Sequence, residues 1–99
     1  MFHLISASAI CEVLNENLES ALRNNRATHH NWSVGDCQLL MTVGLPQGPV
    51  TSQTIKIVGE YSSPKGISTE TFTVPYSRIC KTDFTVAAKG LLRGFIRQV

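Results

Sequence analysis

Apolar residues recur at helical spacing near both ends of the chain. From Ser8 to Arg26 they form one stripe at offsets of three and four residues, which predicts an amphipathic helix capped by Ser6 or Ser8. A second helical pattern, which Thr82 or Asp83 can cap, follows these residues and continues to the C-terminus. We therefore expect two helices that turn their apolar stripes toward a shared core.

Between the helices, apolar and polar residues alternate with the period of two that is typical of half-buried strands. The alternation covers residues 37–43, 53–61 and 68–76, and it predicts three strands. The last two are joined by the short turn SSPKG, residues 62–66, which favours an antiparallel hairpin. Pro75 cannot donate to a ladder, so the third strand should lie at a sheet edge or end there.

The polar stretch between the first helix and the first predicted strand is interpreted as a loop that carries one large side chain, Trp32. The predicted order is therefore helix, three strands and helix. This order favours a single small α+β domain over residues 1–99, with both helices on one face of an antiparallel three-stranded meander.

Composition narrows the class of protein. The chain is 42% apolar and 16% charged with a net charge of +2, which argues against intrinsic disorder. Cys11, Cys37 and Cys80 are an odd number without paired spacing, which favours a reducing compartment over a disulfide framework. The N-terminus lacks the features of a secretory signal, and no stretch approaches the ~20 apolar residues of a membrane span. We therefore expect a cytoplasmic protein with no membrane partner.

Few residues offer chemistry. His29, His30, Cys37 and Cys80 lack the spacing of paired metal ligands, so no metal site is predicted. One of these thiols with a histidine and Asp36 is the only catalytic set that can be assembled, and neither a nucleophile elbow nor a phosphate-binding loop accompanies it. We therefore expect no enzyme activity, no cofactor and no small-molecule substrate.

Two glycines, Gly90 and Gly94, stand inside the last helical pattern, KGLLRGFIRQV, although each costs a helix about 1 kcal/mol relative to alanine. Spaced four residues apart, they would lie a turn apart on one side of the helix and leave a groove for another backbone. The alternative is that the helix ends near Gly90, with this glycine as its C-terminal cap. Apolar residues around the groove span a wide arc, which is typical of an interface.

These features predict a non-catalytic protein–protein interaction module that contacts another protein or a second copy of itself through the C-terminal helix. The module would act as a homodimer or as an adaptor, inhibitor or regulator of a larger partner. Small domains without motifs are frequent among accessory proteins of phages and mobile elements, so such an origin is part of the prediction. The predicted contact residues are Gly90, Leu92, Arg93, Gly94, Ile96 and Arg97, with Trp32 as a second anchor.

Nucleic acid is the alternative partner. From Arg78 onward the basic residues outnumber Asp83, the one acid there, and three of them recur every four residues as a cationic stripe suited to phosphates. The residues of this alternative site are Arg78, Lys81, Lys89, Arg93 and Arg97.

The predicted order of elements, together with Ala87-Ala88-Lys89, resembles the double-stranded-RNA-binding domain. The resemblance is limited to element order and to the alanine and lysine content of the last helix. Lys81-Thr82-Asp83 departs from the lysine-rich start of that family's second helix, because it places an acid where a phosphate would lie.

Overall fold

The chain folds as a helix, four strands and a helix in a computed structural model that describes residues 5–98. A single 3₁₀ turn, Val50–Ser52, interrupts the long connection between the second and third strands. The helices are α1 (Ala7–Asn24) and α2 (Thr85–Gln98), and the strands are β1 (Thr28–Val34), β2 (Cys37–Val43), β3 (Thr54–Ser63) and β4 (Gly66–Pro75).

The strands form one antiparallel sheet in the order β1-β2-β3-β4, so neighbours in the chain are neighbours in the sheet. Between β3 and β4 the turn is closed by Ser63 and Gly66, and Gly66 has a φ of 138°, a conformation that glycine adopts readily. The predicted hairpin is confirmed. β4 lies at a sheet edge and ends at Pro75, as the missing N–H of proline predicts.

The sheet has one strand more than the sequence predicts. Residues 28–34, interpreted as a loop, form β1 and pair with β2 along its whole length. The inward residues of β1 include His30 and Trp32, which are only half-buried, so the segment lacks the apolar alternation that identifies a strand. The additional strand also removes the resemblance in element order to the double-stranded-RNA-binding domain.

Both helices cover the same face of the sheet, which confirms the predicted α+β architecture. One cluster of buried side chains joins α1, α2 and the inward row of the strands, with Leu14, Met41, Ile57 and Leu91 fully buried. The other face of the sheet carries mainly threonines and charged or amide side chains, and no described element covers it.

Local hydrogen bonds fix where the helices begin and end. The Ser6 hydroxyl accepts from the Ala9 N–H at 3.0 Å, which confirms one of the two predicted caps of α1, and Asn25 ends that helix in the left-handed conformation. Before α2, an oxygen of the Asp83 carboxylate accepts from both the N–H and the hydroxyl of Thr85. These bonds to the charged form lower the pKa of Asp83.

The glycines of α2 face the chain's own sheet. A Cβ atom added to Gly90 would overlap the ring of Phe72, and one added to Gly94 would overlap the ring of Tyr61. The predicted groove is therefore filled by aromatic side chains of β4 and β3, and it is not an open surface for a partner helix. α2 is continuous through both glycines, so the alternative in which the helix ends at Gly90 is wrong.

We expect Gly94→Ala to lower the free energy of unfolding by about 1–3 kcal/mol, the usual cost of overpacking, although alanine favours a helix by about 1 kcal/mol. The cost arises because Tyr61 is buried and its hydroxyl is bonded to Glu70, so its ring has little room to move. Urea denaturation followed by circular dichroism measures the change.

Gly90→Ala is the matched control. It makes the same chemical change one turn earlier, against Phe72, whose ring is half-buried and, unlike that of Tyr61, holds no hydrogen bond. We expect it to cost less than Gly94→Ala. If Gly94→Ala were as stable as the natural protein, the packing of α2 described here would be wrong.

Candidate protein-interaction site

The sheet has two edge strands, β1 and β4. β4 is the longer of the two, so its outer edge is the longer row of unpaired strand backbone among the described residues. Its ten residues pair with β3 without a bulge, and nearly all of them are exposed. Natural sheet edges are usually protected by lysine, by proline or by bulges. β4 has no lysine or arginine, and its proline is the last residue of the strand.

The phase of the β3–β4 ladder decides which backbone groups of β4 are unpaired. Tyr76 donates its N–H to the Gln53 carbonyl at 2.9 Å, and in an antiparallel pair the residues that bond alternate along the strand. The even-numbered residues of β4 therefore bond to β3. The N–H and C=O groups of Ile67, Thr69, Thr71 and Thr73 point away from the sheet, and Pro75 belongs to the same outward row.

This outward row carries no charge. Its side chains lie on the uncovered face of the sheet, because successive residues of a strand alternate between faces. The even-numbered residues, which include Glu70 and Phe72, lie on the face that the helices cover. The edge thus combines unpaired backbone groups with threonine side chains on one face and a carboxylate and an aromatic ring on the other.

α2 runs beside this edge and gives it a basic wall. Gly90 faces Phe72 of β4, and the helical repeat places Arg93 and Arg97 on the same flank of α2. Both arginines are exposed. Arg97 and Glu70 line a shallow depression of about 270 Å³ between α2 and β4. A strand added to β4 would therefore lie next to the guanidinium group of Arg97, with Arg93 one turn earlier on α2.

A hydrogen bond at the bottom of this depression positions the carboxylate. The Tyr61 hydroxyl donates to Oε1 of Glu70 at 2.8 Å. Burial and the neighbouring carboxylate raise the pKa of Tyr61 well above its usual range, while the positive charge of Arg97 acts in the opposite direction. Tyr61 therefore stays protonated as a donor, and Oε2 of Glu70 remains available to a partner.

The structure divides the predicted contact residues of α2 into two sets. Gly90 and Gly94 pack against Phe72 and Tyr61, as described above. The other four are at least partly accessible: Leu92 is half-buried, Ile96 is 44% exposed, and Arg93 and Arg97 are exposed. By the helical repeat, Leu92 and Ile96 lie on the flank of α2 away from β4. Of the four residues, Arg97 borders the edge strand, and Arg93 lies one turn before it.

The second predicted anchor, Trp32, does not belong to this surface. It is on β1, at the edge opposite β4. Its ring is half-buried against the core and meets the ring of His30 edge-on, with 4.4 Å between the centroids. Trp32 therefore closes one side of the core.

The basic residues of the alternative site are spread along α2 and the loop before it. Lys89, Arg93 and Arg97 are exposed on the helix, as the periodicity predicts. Arg78 instead borders a depression formed with Leu45 and the end of α1, and Lys81 is near the start of α2. The five residues therefore do not form one compact patch.

The residues considered for catalysis are separated in the fold. Cys37 is buried and donates to the Gln98 carbonyl at 3.3 Å, whereas Cys80 is exposed in the loop that follows β4. His29 and His30 are on β1, at the other edge of the sheet. The third cysteine, Cys11, was not part of the catalytic set. Its pKa is raised, mainly because the thiol is partly buried.

Two further observations concern residues 5–98. Among them, no three His, Cys, Asp or Glu side chains come together in a way that would hold a metal ion. Neither of the helices in this range is long and apolar enough to cross a membrane.

Comparisons with protein-family models, with curated proteins and with solved structures give no match. The function is therefore inferred from the geometry of this chain alone. The sequence predicted that the strand β4 lies at an edge or ends at Pro75, and it predicted Arg93 and Arg97 as part of a cationic stripe, but it did not connect the two. The evidence that connects them is the contact of Gly90 with Phe72, which only the packed structure supplies.

We expect Tyr61 to ionise well above the ordinary tyrosine pKa of about 10. Because the folded protein holds this proton more tightly than the unfolded chain, its contribution to stability is complete below pH ~10 and is lost as the pH rises further. Absorbance at the tyrosinate band, recorded against pH, measures this ionisation. Tyr61→Phe should remove the late phase of the titration, and a titration unchanged by this substitution would contradict the assignment.

Proposed function

We propose that this chain is a non-catalytic protein–protein interaction module that binds an extended segment of its partner along the outer edge of β4, beside α2. The observation that carries the proposal is the outward row of β4, which offers unpaired N–H and C=O groups along an edge without lysine, arginine or a bulge. A role as an adaptor, inhibitor or regulator, including one encoded by a phage or mobile element, fits this mode of binding.

Strand addition explains how so small a surface can bind. Each backbone hydrogen bond contributes a net of about 0.5–1.5 kcal/mol, and an added strand forms several in register with Ile67, Thr69, Thr71 and Thr73. The edge strand is already ordered by β3, so the partner segment bears most of the ordering cost.

The basic wall supplies selectivity. Side chains of an added strand alternate between faces, and those on the helix side lie beside Arg97, with Arg93 one turn earlier on α2. Arginine pairs well with carboxylates, because two parallel N–H groups match two oxygens. The preferred segment therefore carries acidic or hydrogen-bonding side chains at alternate positions on that side.

The first test uses Thr71→Pro. The N–H of Thr71 points away from β3, so a proline at this position removes an outward donor and obstructs the edge. The hydrogen bonds between β3 and β4 are all kept. We expect it to abolish capture of protein partners by the tagged chain from lysate, measured by quantitative mass spectrometry after nuclease treatment. Circular dichroism confirms that the variant is folded.

Asn31→Pro is the matched control at the opposite edge of the sheet. The N–H of Gly44 donates to the Lys56 carbonyl, so the even-numbered residues of β2 bond to β3 and the odd-numbered ones to β1. In the β1–β2 register Asn31 is therefore an outward residue of β1. Capture that survives Thr71→Pro but not Asn31→Pro would refute binding at β4.

Nucleic acid remains the second candidate, favoured by the exposure of Lys89, Arg93 and Arg97 along one helix. If phosphates were the ligand, binding to a labelled RNA or DNA duplex would weaken steeply with salt, and Arg93→Ala with Arg97→Ala would reduce that slope. Thr71→Pro would leave it unchanged. We expect instead no binding of either duplex at physiological salt, measured by fluorescence anisotropy.

A further inference from the structure

Building on the proposed function, we infer that the strand added to β4 is β4 of a second copy of this chain. Two four-stranded sheets then join edge to edge into one antiparallel sheet, and the helices of both copies lie on the same face. The two-fold axis passes beside Thr71. Three features support this pairing: the alternation of unpaired backbone groups along β4, the side chains that meet across the axis, and charge.

The outward row of β4 is symmetric about Thr71. It extends from Ile67 to Pro75, so antiparallel pairing about this residue places Thr71 opposite Thr71 of the second copy and Thr69 opposite Thr73. Ile67 then meets Pro75, whose missing N–H falls at the end of the ladder, where it interrupts nothing. This register uses the whole outward row.

The side chains that meet on the uncovered face are compatible with one another. They are threonines related by the axis, and Thr–Thr pairs across antiparallel strands are favourable. No charged side chain belongs to the outward row, so the axis brings no like charges together on this face.

The helix-side residues select among the symmetric registers. Pairing about Glu70 would set two carboxylates opposite each other, and pairing about Phe72 would leave Ile67 without a partner. Pairing about Thr71 instead places Glu70 of one copy opposite Phe72 of the other. Phe72 lies under Gly90, on the flank of α2 that carries Arg93.

Charge complementarity follows from this register. Glu70 of each copy arrives at the arginine-bearing flank of the other copy's α2, and its Oε2 is not used by the bond to Tyr61. The contact occurs twice, once on each side of the axis. A second copy therefore supplies the carboxylate that the basic wall beside β4 favours.

The first experiment measures self-association of the full chain by sedimentation equilibrium from low to high micromolar concentration. We expect a dimer. Thr71→Pro should weaken it by about ten- to a hundredfold, because symmetry removes an outward N–H from both copies. Asn31→Pro should dimerise like the natural chain. A monomer at every concentration, or a dimer broken by Asn31→Pro and not by Thr71→Pro, would overturn the inference.

The second experiment tests the register and does not depend on the proline variant. In a Cys80→Ser background, which removes the exposed thiol, Thr71→Cys should form a disulfide-linked dimer under mild oxidation, because paired Cα atoms are about 5.5 Å apart. Thr69→Cys and Thr73→Cys should each stay unlinked alone and should link when mixed. The Cys80→Ser parent is the control.

The outcomes separate this inference from the proposed function. If Thr69→Cys and Thr73→Cys fail to link in the mixture, pairing of two β4 strands in this register is refuted. If the chain is monomeric while Thr71→Pro still abolishes capture of a different protein, the second copy is refuted and binding at the β4 edge stands. If neither self-association nor capture depends on Thr71, both proposals fail.

Discussion

The close approach of α2 to the sheet is the constraint on which the rest of the structure depends. Two glycines of the helix and Gly59 of β3 leave no side chain at the contact, so the rings of Phe72 and Tyr61 and the side chain of Leu91 fill the space. Ordinary side chains at these positions would push the helix outward by part of a side-chain diameter. The two glycines cost helix stability, and the tight packing they permit offsets that cost.

This contact also determines what is left uncovered. Because α2 is held at Tyr61 and Phe72, its arginine-bearing flank runs alongside β4 and does not extend over its outer edge. The same packing fixes the Tyr61–Glu70 hydrogen bond beneath that flank. The edge, the basic wall and the carboxylate thus form one surface because a single helix–sheet contact positions all three.

The helices, the β3–β4 hairpin and the edge position of β4 could be predicted, because each follows from local periodicity or from proline and turn chemistry. β1 could not, since its inward residues, such as His30, are only half-buried, and so its polarity does not alternate clearly. The role of Gly90 and Gly94 in α2 could not be predicted from the sequence either. Four-residue spacing establishes that they share a side of α2, but whether that side meets a partner or the chain's own aromatic rings depends on contacts between residues distant in sequence. The same holds for the surface of β4, where the direction of each N–H depends on the pairing with β3.

The alternation of residues along β4 couples its exposed edge to the hydrophobic core of the domain. Even-numbered residues place Phe72 and Val74 inward and bond to β3, and odd-numbered residues place threonines and unpaired backbone groups outward. A slip of one residue in this pairing would exchange both sets at once, exposing Phe72 and burying threonine hydroxyls, while moving Pro75 into the ladder. The outer edge of β4 therefore cannot change during evolution independently of the hydrophobic core. Insertions in the Pro64-Lys65 turn are constrained for the same reason, although both residues are exposed.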